Sequence, residues 1–141
     1  MAQVNDELIP LLKPGRYELC YEFHEAVQLF RQPKLVIWFR VLDMGEHFGK
    51  FIPRYYNSKR TIGKKGRGGM FKAGRSSNFV REYARLFPNR ISRLDRIPME
   101  PFKGKRLIAE VRTVTRDREQ EDLAASLHYS VVDRLLGVAP A

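Results

Sequence analysis

Two stretches of this chain, one near each end, alternate apolar and polar side chains with a period of two, the period of a half-buried strand. In the first, Tyr17, Leu19, Tyr21 and Phe23 fall on one side and Glu18, Glu22 and His24 on the other. In the second, over residues 105–115, Leu107, Ala109, Val111 and Thr113 oppose Arg106, Ile108, Glu110 and Arg112. Successive strand side chains point to opposite faces, so each stretch predicts one face toward a core. Between them Leu35-Val36-Ile37-Trp38-Phe39-Arg40-Val41-Leu42 is β-branched and aromatic, and reads as another strand. Gln32-Pro33 predicts the turn before it and Asp43-Met44-Gly45-Glu46 the turn after it. Residues 48–56 read as a third strand, in which Pro53 argues for an edge or a bulge. A helix is expected further on: Ser76 or Ser77 can cap it, Phe79, Tyr83 and Leu86 share a face, and Pro88 ends it. The last segment supports two readings. Leu123, Leu127, Val131 and Leu135 stand four apart, as in a helix ended by Gly137. Leu127-His128-Tyr129-Ser130-Val131-Val132 equally fits a strand, preferred here because it completes a five-stranded order.

A length of 141 residues accommodates one domain, since two would each be too small to bury an adequate core. Hydrophobic residues at 43% and charged residues at 30% describe a globular chain rather than a disordered one. An irregular arm at 1–14 precedes a domain at 15–136, and 137–141 form a short tail. Cys20 is the only cysteine, which excludes an internal disulfide and a thiolate metal cluster; it reads as a small buried hydrophobe. Met1-Ala2-Gln3-Val4-Asn5-Asp6-Glu7 lacks the basic opening of a signal peptide, and the apolar run at 8–12 is broken by Pro10. Nothing approaches the roughly 20 apolar residues of a membrane helix. The expectation is a cytoplasmic protein with no membrane partner and self-association left open.

The net charge of +10, with a sequence pI near 10.0, is placed very unevenly. Residues 47–81 contain no acid. They hold Lys50, Arg54, Lys59, Arg60, Lys64, Lys65, Arg67, Lys72, Arg75 and Arg81, ten cations in all. Outside that window sixteen cations meet sixteen anions. An ordinary solvated face mixes signs, because opposite charges relieve self-repulsion, so this window predicts a polyanionic partner. Within it, residues 57–75 read as a mobile basic loop whose glycines, Gly63, Gly66, Gly68, Gly69 and Gly74, let the backbone approach phosphates. Gly63-Lys64-Lys65-Gly66-Arg67-Gly68-Gly69 lacks the Gly-Lys-Ser/Thr ending of a nucleotide phosphate loop, which argues against nucleotide hydrolysis.

Binding of single strands combines such cations with flat side chains on which bases stack. Trp38 alternates with Leu35, Ile37, Phe39 and Val41, so it and Arg40 face away from them; stacking and a second small core are both open to Trp38. Tyr55 and Tyr56 flank the basic loop, one directed inward and one outward. Phe71 sits within the loop, where a binding role is preferred. No cofactor is implied. His24, His47 and His128 lack metal-ligand spacing. Asp95 and Glu110, beside Lys105 and Arg112, would be the acids of a metal-dependent nuclease. Glu110-Val111-Arg112, however, puts an always-charged arginine where one large nuclease class has lysine, so no catalytic residue is assigned.

Strand, strand, strand, helix, strand, strand is the element order of the OB-fold, a five-stranded Greek-key barrel with one helix between its third and fourth strands. In that order, over about residues 15–135, with a basic loop after the third strand and aromatic-rich strands, the chain resembles the small OB-fold single-stranded-DNA-binding proteins of bacteriophages and mobile elements. The resemblance implies largely sequence-independent binding of single-stranded DNA in replication or recombination. The interface would comprise Lys59, Arg60, Lys64, Lys65, Arg67 and Lys72 with Lys50, Arg54, Arg75 and Arg40, and the platforms Trp38, Tyr55, Tyr56 and Phe71. An RNA-binding or ribosome-associated protein on a similar barrel is the alternative. Cellular members carry an acidic recruiting tail; Leu136-Gly137-Val138-Ala139-Pro140-Ala141 has no acid, so that kind of recruitment is not implied.

Overall fold

The computed structural model describes residues 9–140, so most of the expected arm at 1–14 lies outside the described residues. Over these residues the protein is mainly β, with one α-helix. Strand β1 (Gly15–Leu29) pairs with β2 (Gln32–Val41), which pairs with β3 (Phe51–Asn57). On its other side β1 pairs with β7 (Arg106–Val114), and β7 with β8 (Tyr129–Val138). Three short strands intervene: β4 (Arg60–Ile62), β5 (Gly66–Arg67) and β6 (Met70–Lys72). The antiparallel order is β3-β2-β1-β7-β8, and the final segment is a strand, as preferred. The outer strands β3 and β8 approach within 8 Å between Cα atoms but form no ladder, so the sheet does not close into a barrel.

β1 serves two neighbours because it is long and bulged. The register with β2 shifts between Tyr21 and Phe23, leaving Glu22 as an extra residue. A bulge of this kind bends a strand and reverses its side-chain alternation. Leu19 and Tyr21 therefore face the main core, whereas Phe23, Val27 and Leu29 face the other side, where they cover Val36 and Trp38. This corrects the expectation that Phe23 shares a face with Tyr17, Leu19 and Tyr21. The turn after β1 also lies elsewhere than expected. Gln32 and Pro33 are in the ladder, opposite Leu29 and Gln28, and the turn is Phe30-Arg31 at φ 53° and 64°. A tight hairpin needs positive φ at both central residues and ordinarily uses Asn or Gly, so this turn carried no sequence signal.

Helix α1 (Asn78–Leu86) is capped by the Ser77 hydroxyl, which accepts from the Val80 N–H. It inserts Phe79, Tyr83 and Leu86 into the core. These meet Tyr56, Phe71, Phe87 and Phe102 in a mostly edge-to-face aromatic cluster, with ring centroids 5.0 to 5.8 Å apart. The fourth inward residue, Glu82, joins the two unpaired edges. Its Oε1 accepts from the Tyr56 hydroxyl on β3 (2.7 Å) and the Leu135 N–H on β8 (3.0 Å), and its Oε2 from Arg54 on β3 (2.5 Å). Pro53 is tolerated because β3 has a ladder on one side only. Leu12 is buried, its N–H donating to the Ser130 hydroxyl on β8, so the arm joins the core at that point. Among the described residues no helix is long and apolar enough to cross a membrane.

Candidate nucleic-acid interface

The segment expected to be a loop at 57–75 folds into regular structure. β4 and β6 form a hairpin with Arg60 opposite Lys72, Thr61 opposite Phe71 and Ile62 opposite Met70. β5 adds to β1, Arg67 opposite Glu25 and Gly66 opposite Ala26. Two features hold it. Phe71 is 4% exposed, against Phe79 and His24. Gly69 approaches so closely that a Cβ there would lie 2.9 Å from the Ala26 Cβ. Side chains directly opposite share a face, so Thr61 lies on the buried side with Phe71. Arg60, Lys72, Ile62 and Met70 form the outer side, where Met70 is 43% exposed.

That outer side carries unneutralised charge. Among the described residues, none of Lys59, Arg60, Lys64, Lys65, Lys72 or Arg75 has an ion-pair partner. Arg60 and Lys72 are like charges directly across a ladder, an arrangement that destabilises a hairpin. Lys59 and Arg75 line a depression of about 440 Å³ with Asn57, Ser58, Ser76 and Ser77, at the α1 N-terminus. The partial positive charge of a helix N-terminus adds to theirs. The buried Ser58 Oγ has no hydrogen-bond partner in this wall.

Other expected interface residues lie elsewhere. Arg54 is buried against Glu82 and sits 4.3 Å over the Tyr56 ring. Burial is the largest single effect and opposes the Arg54 charge, but the Glu82 hydrogen bond and the electrostatic contributions of Tyr56 and Glu82 together outweigh it and raise the pKa. Tyr56 is core, and burial followed by the Glu82 carboxylate holds its hydroxyl protonated well above the ordinary range. Phe71 is likewise core. Trp38 is 5% exposed in the second small core, its indole N–H donating to Glu25 Oε1 at 3.1 Å. Bases therefore have no access to Trp38 or Tyr56 as packed, and none to Phe71 from the hairpin's outer side. Arg40 is exposed but binds Glu22 and the Sγ of Cys20, which is partly exposed rather than buried. Lys50 stands at the other end of seven-residue β3 from Asn57, roughly 23 Å away at about 3.3 Å per residue. Arg67 lies 3.8 Å over the Phe23 ring, at the hairpin's inner border.

Tyr55 does point outward, 36% exposed, into a cleft of about 800 Å³ with Phe30, Tyr129, Arg112, Arg116 and Arg118. Burial pushes its hydroxyl pKa up to about 12, with Tyr129 and Glu25 adding to the shift. Phe30, 65% exposed at the strained β1–β2 turn, is stacked by Arg118 at 4.2 Å. Residues 112–129 were outside the acid-free window, so nothing in charge patterning marked this cleft. The two acids considered for a nuclease are each engaged by arginine, Asp95 by Arg93 (2.8 Å) and Glu110 by Arg134 (2.5 Å). Sheet, helix and basic hairpin define a small mainly β protein with a cationic outer surface. No protein-family model, curated protein or solved structure matches the chain.

Proposed function

We propose that the protein binds single-stranded nucleic acid, largely without regard to sequence, on the outer side of the β4–β6 hairpin. The observation that carries this reading is the like-charged pair Arg60–Lys72, within six cations that lack an acidic partner among the described residues. A phosphate chain relieves that repulsion and releases counterions on binding. Lys59 and Arg75 extend the charge to the α1 N-terminus, and Tyr55 and Phe30 supply the exposed flat side chains on which bases stack. The fold reading is an OB-like barrel left open between β3 and β8. It is supported by the order β3-β2-β1-β7-β8 and by a helix bridging those two strands. The 800 Å³ cleft between the β1–β2 turn and the β7–β8 connection then corresponds to loops that bind oligonucleotides in that fold. On the sequence resemblance, the ligand is single-stranded DNA in replication or recombination of a phage or mobile element.

Competition tests this. Labelled oligo-dT bound to the protein is challenged with unlabelled single-stranded DNA, duplex DNA, RNA of the same length and inorganic polyphosphate. Single-stranded DNA is expected to compete best. Stronger competition by RNA transfers the same surface to an RNA ligand, and equal competition by polyphosphate refutes recognition of a nucleic acid.

A further inference from the structure

Behind the basic hairpin, between β1 and the turn joining β5 to β6, lies a second cleft, of about 350 Å³. Ligand pockets span about 300–1,000 Å³, so this one suits a single ring system rather than a larger ligand. Its walls are flat or polarisable: Tyr21 and Phe23 from β1, Met70 and Phe71 from β6, and Ile97 and Met99 opposite. Its rim carries Arg67 and Arg96, with Lys103 beside them paired to Glu100. Of the two acids that line it, Asp95 is held by Arg93 at 2.8 Å and Glu100 by Lys103 at 2.9 Å.

The polar groups inside are ordered by one chain of hydrogen bonds. His24 Nε2 lies 3.1 Å from the Gly69 carbonyl, which can only accept, so Nε2 carries the proton. Burial lowers the His24 pKa and keeps the ring neutral. Nδ1 then accepts, and the Tyr21 hydroxyl, 3.0 Å away, donates to it. The Tyr21 oxygen thus presents its lone pairs to a donor, fixed in place before any ligand arrives. The same chain ties β1 to the turn that begins the basic strand β6.

From this geometry we infer that the cleft receives one unstacked nucleobase of the bound strand, its attached phosphates held at the cationic rim. A planar ring with N–H donors and a flanking anion matches flat walls, a fixed acceptor and a positive rim. Met70 lines the cleft and also lies on the outer side of the hairpin, next to Phe71 and Lys72 in β6, so a strand lying on that side reaches the cleft mouth. The inference rests on the nucleic-acid reading above.

The test compares oligo-dT with an abasic strand of the same length, by anisotropy, for the unaltered protein and for Tyr21→Phe and Met70→Trp. Tyr21→Phe deletes the acceptor; Met70→Trp enlarges a 43%-exposed side chain at the mouth. The unaltered protein is expected to prefer the base-bearing strand by roughly 5- to 150-fold. Both variants should lower that preference several-fold, and Tyr21→Phe, which alters the cleft alone, should leave abasic binding unchanged. Ring-proton NMR of His24 in the unaltered protein gives a readout independent of the variants: its resonances should shift with oligo-dT and not with the abasic strand. An undiminished preference in both variants, or His24 resonances indifferent to the base, overturns the base pocket while leaving phosphate binding intact. Failure of both strands to bind overturns the nucleic-acid reading as well.

Discussion

Exchanging Glu82 for glutamine is the sharpest structural perturbation available, because one carboxylate joins α1, β3 and β8. The side chains of Arg54 and Glu82 are 11% and 8% exposed, so their charges are largely removed from water. The amide of Glu82→Gln can still accept from Tyr56 and the Leu135 N–H through its oxygen. Its NH₂ group then faces the Arg54 guanidinium, donor against donor, and the arginine charge is left buried without a counter-charge. Breaking a buried pair in this way costs about 3–5 kcal/mol. At about 3 °C per kcal/mol for a chain of this size, the melting temperature should fall by roughly 10 °C or more. Urea denaturation followed by circular dichroism measures the loss directly. Adding Arg54→Met should recover half or more of it, because the orphaned charge is gone; the two exchanges share a partner and are not additive. A loss below about 1 kcal/mol for Glu82→Gln, or strictly additive losses in the double variant, would refute the view that Glu82 braces the open side of the sheet.

Trp38→Ala should lower stability by about 3–5 kcal/mol, read from a urea midpoint, while the folded protein keeps its affinity for oligo-dT. A normal midpoint with weakened binding would return Trp38 to the interface. Gly69→Ala should destabilise by about 1–3 kcal/mol, because its Cβ meets Ala26 at 2.9 Å and the Gly66 carbonyl at 3.0 Å; an unchanged melting curve would mean that this approach is not tight. His24 has a folded pKa below its ordinary 6.5, through burial first and Lys103 in addition, with the Gly69 hydrogen bond opposing. The folded state therefore binds fewer protons than the unfolded one, so this contribution is intact above pH 6.5 and is lost as pH falls toward the folded pKa. Between about pH 7.5 and about pH 5.5 the unaltered protein should lose more stability than His24→Gln; equal losses would show that His24 titrates as if exposed.

Local rules read the long elements well. The alternation at Leu107, Ala109 and Val111, a serine cap at Ser76 or Ser77 (the structure uses Ser77) and the opposite directions of Tyr55 and Tyr56 all follow from local rules that need no tertiary knowledge. Pro53 similarly marked an edge. What escaped depends on residues far apart in the chain. The bulge at Glu22 reversed Phe23 and, with Val27 and Leu29, built the cover over Trp38. The Phe30-Arg31 turn uses positive φ without glycine or asparagine. In the glycine-rich segment a single buried aromatic, Phe71, and one close glycine contact sufficed to order a hairpin that composition alone reads as a loop. The loss of Arg54 to Glu82, twenty-eight residues away, is a tertiary event with no local signature. The location of unneutralised charge, by contrast, was already visible, because no acid lies near it in the chain.

The central claim is that the acid-free hairpin neutralises nucleic-acid phosphates, and the salt dependence of oligo-dT affinity tests it most directly. With about four to six phosphates contacted by Lys59, Arg60, Lys64, Lys65, Lys72 and Arg75, and a slope of about −0.7 per contact on single strands, log affinity should fall against log salt with a slope of roughly −3 to −4. Arg60→Gln with Lys72→Gln should make that slope shallower by about 1.4. A flat response, or a slope that this double exchange leaves untouched, would contradict the account.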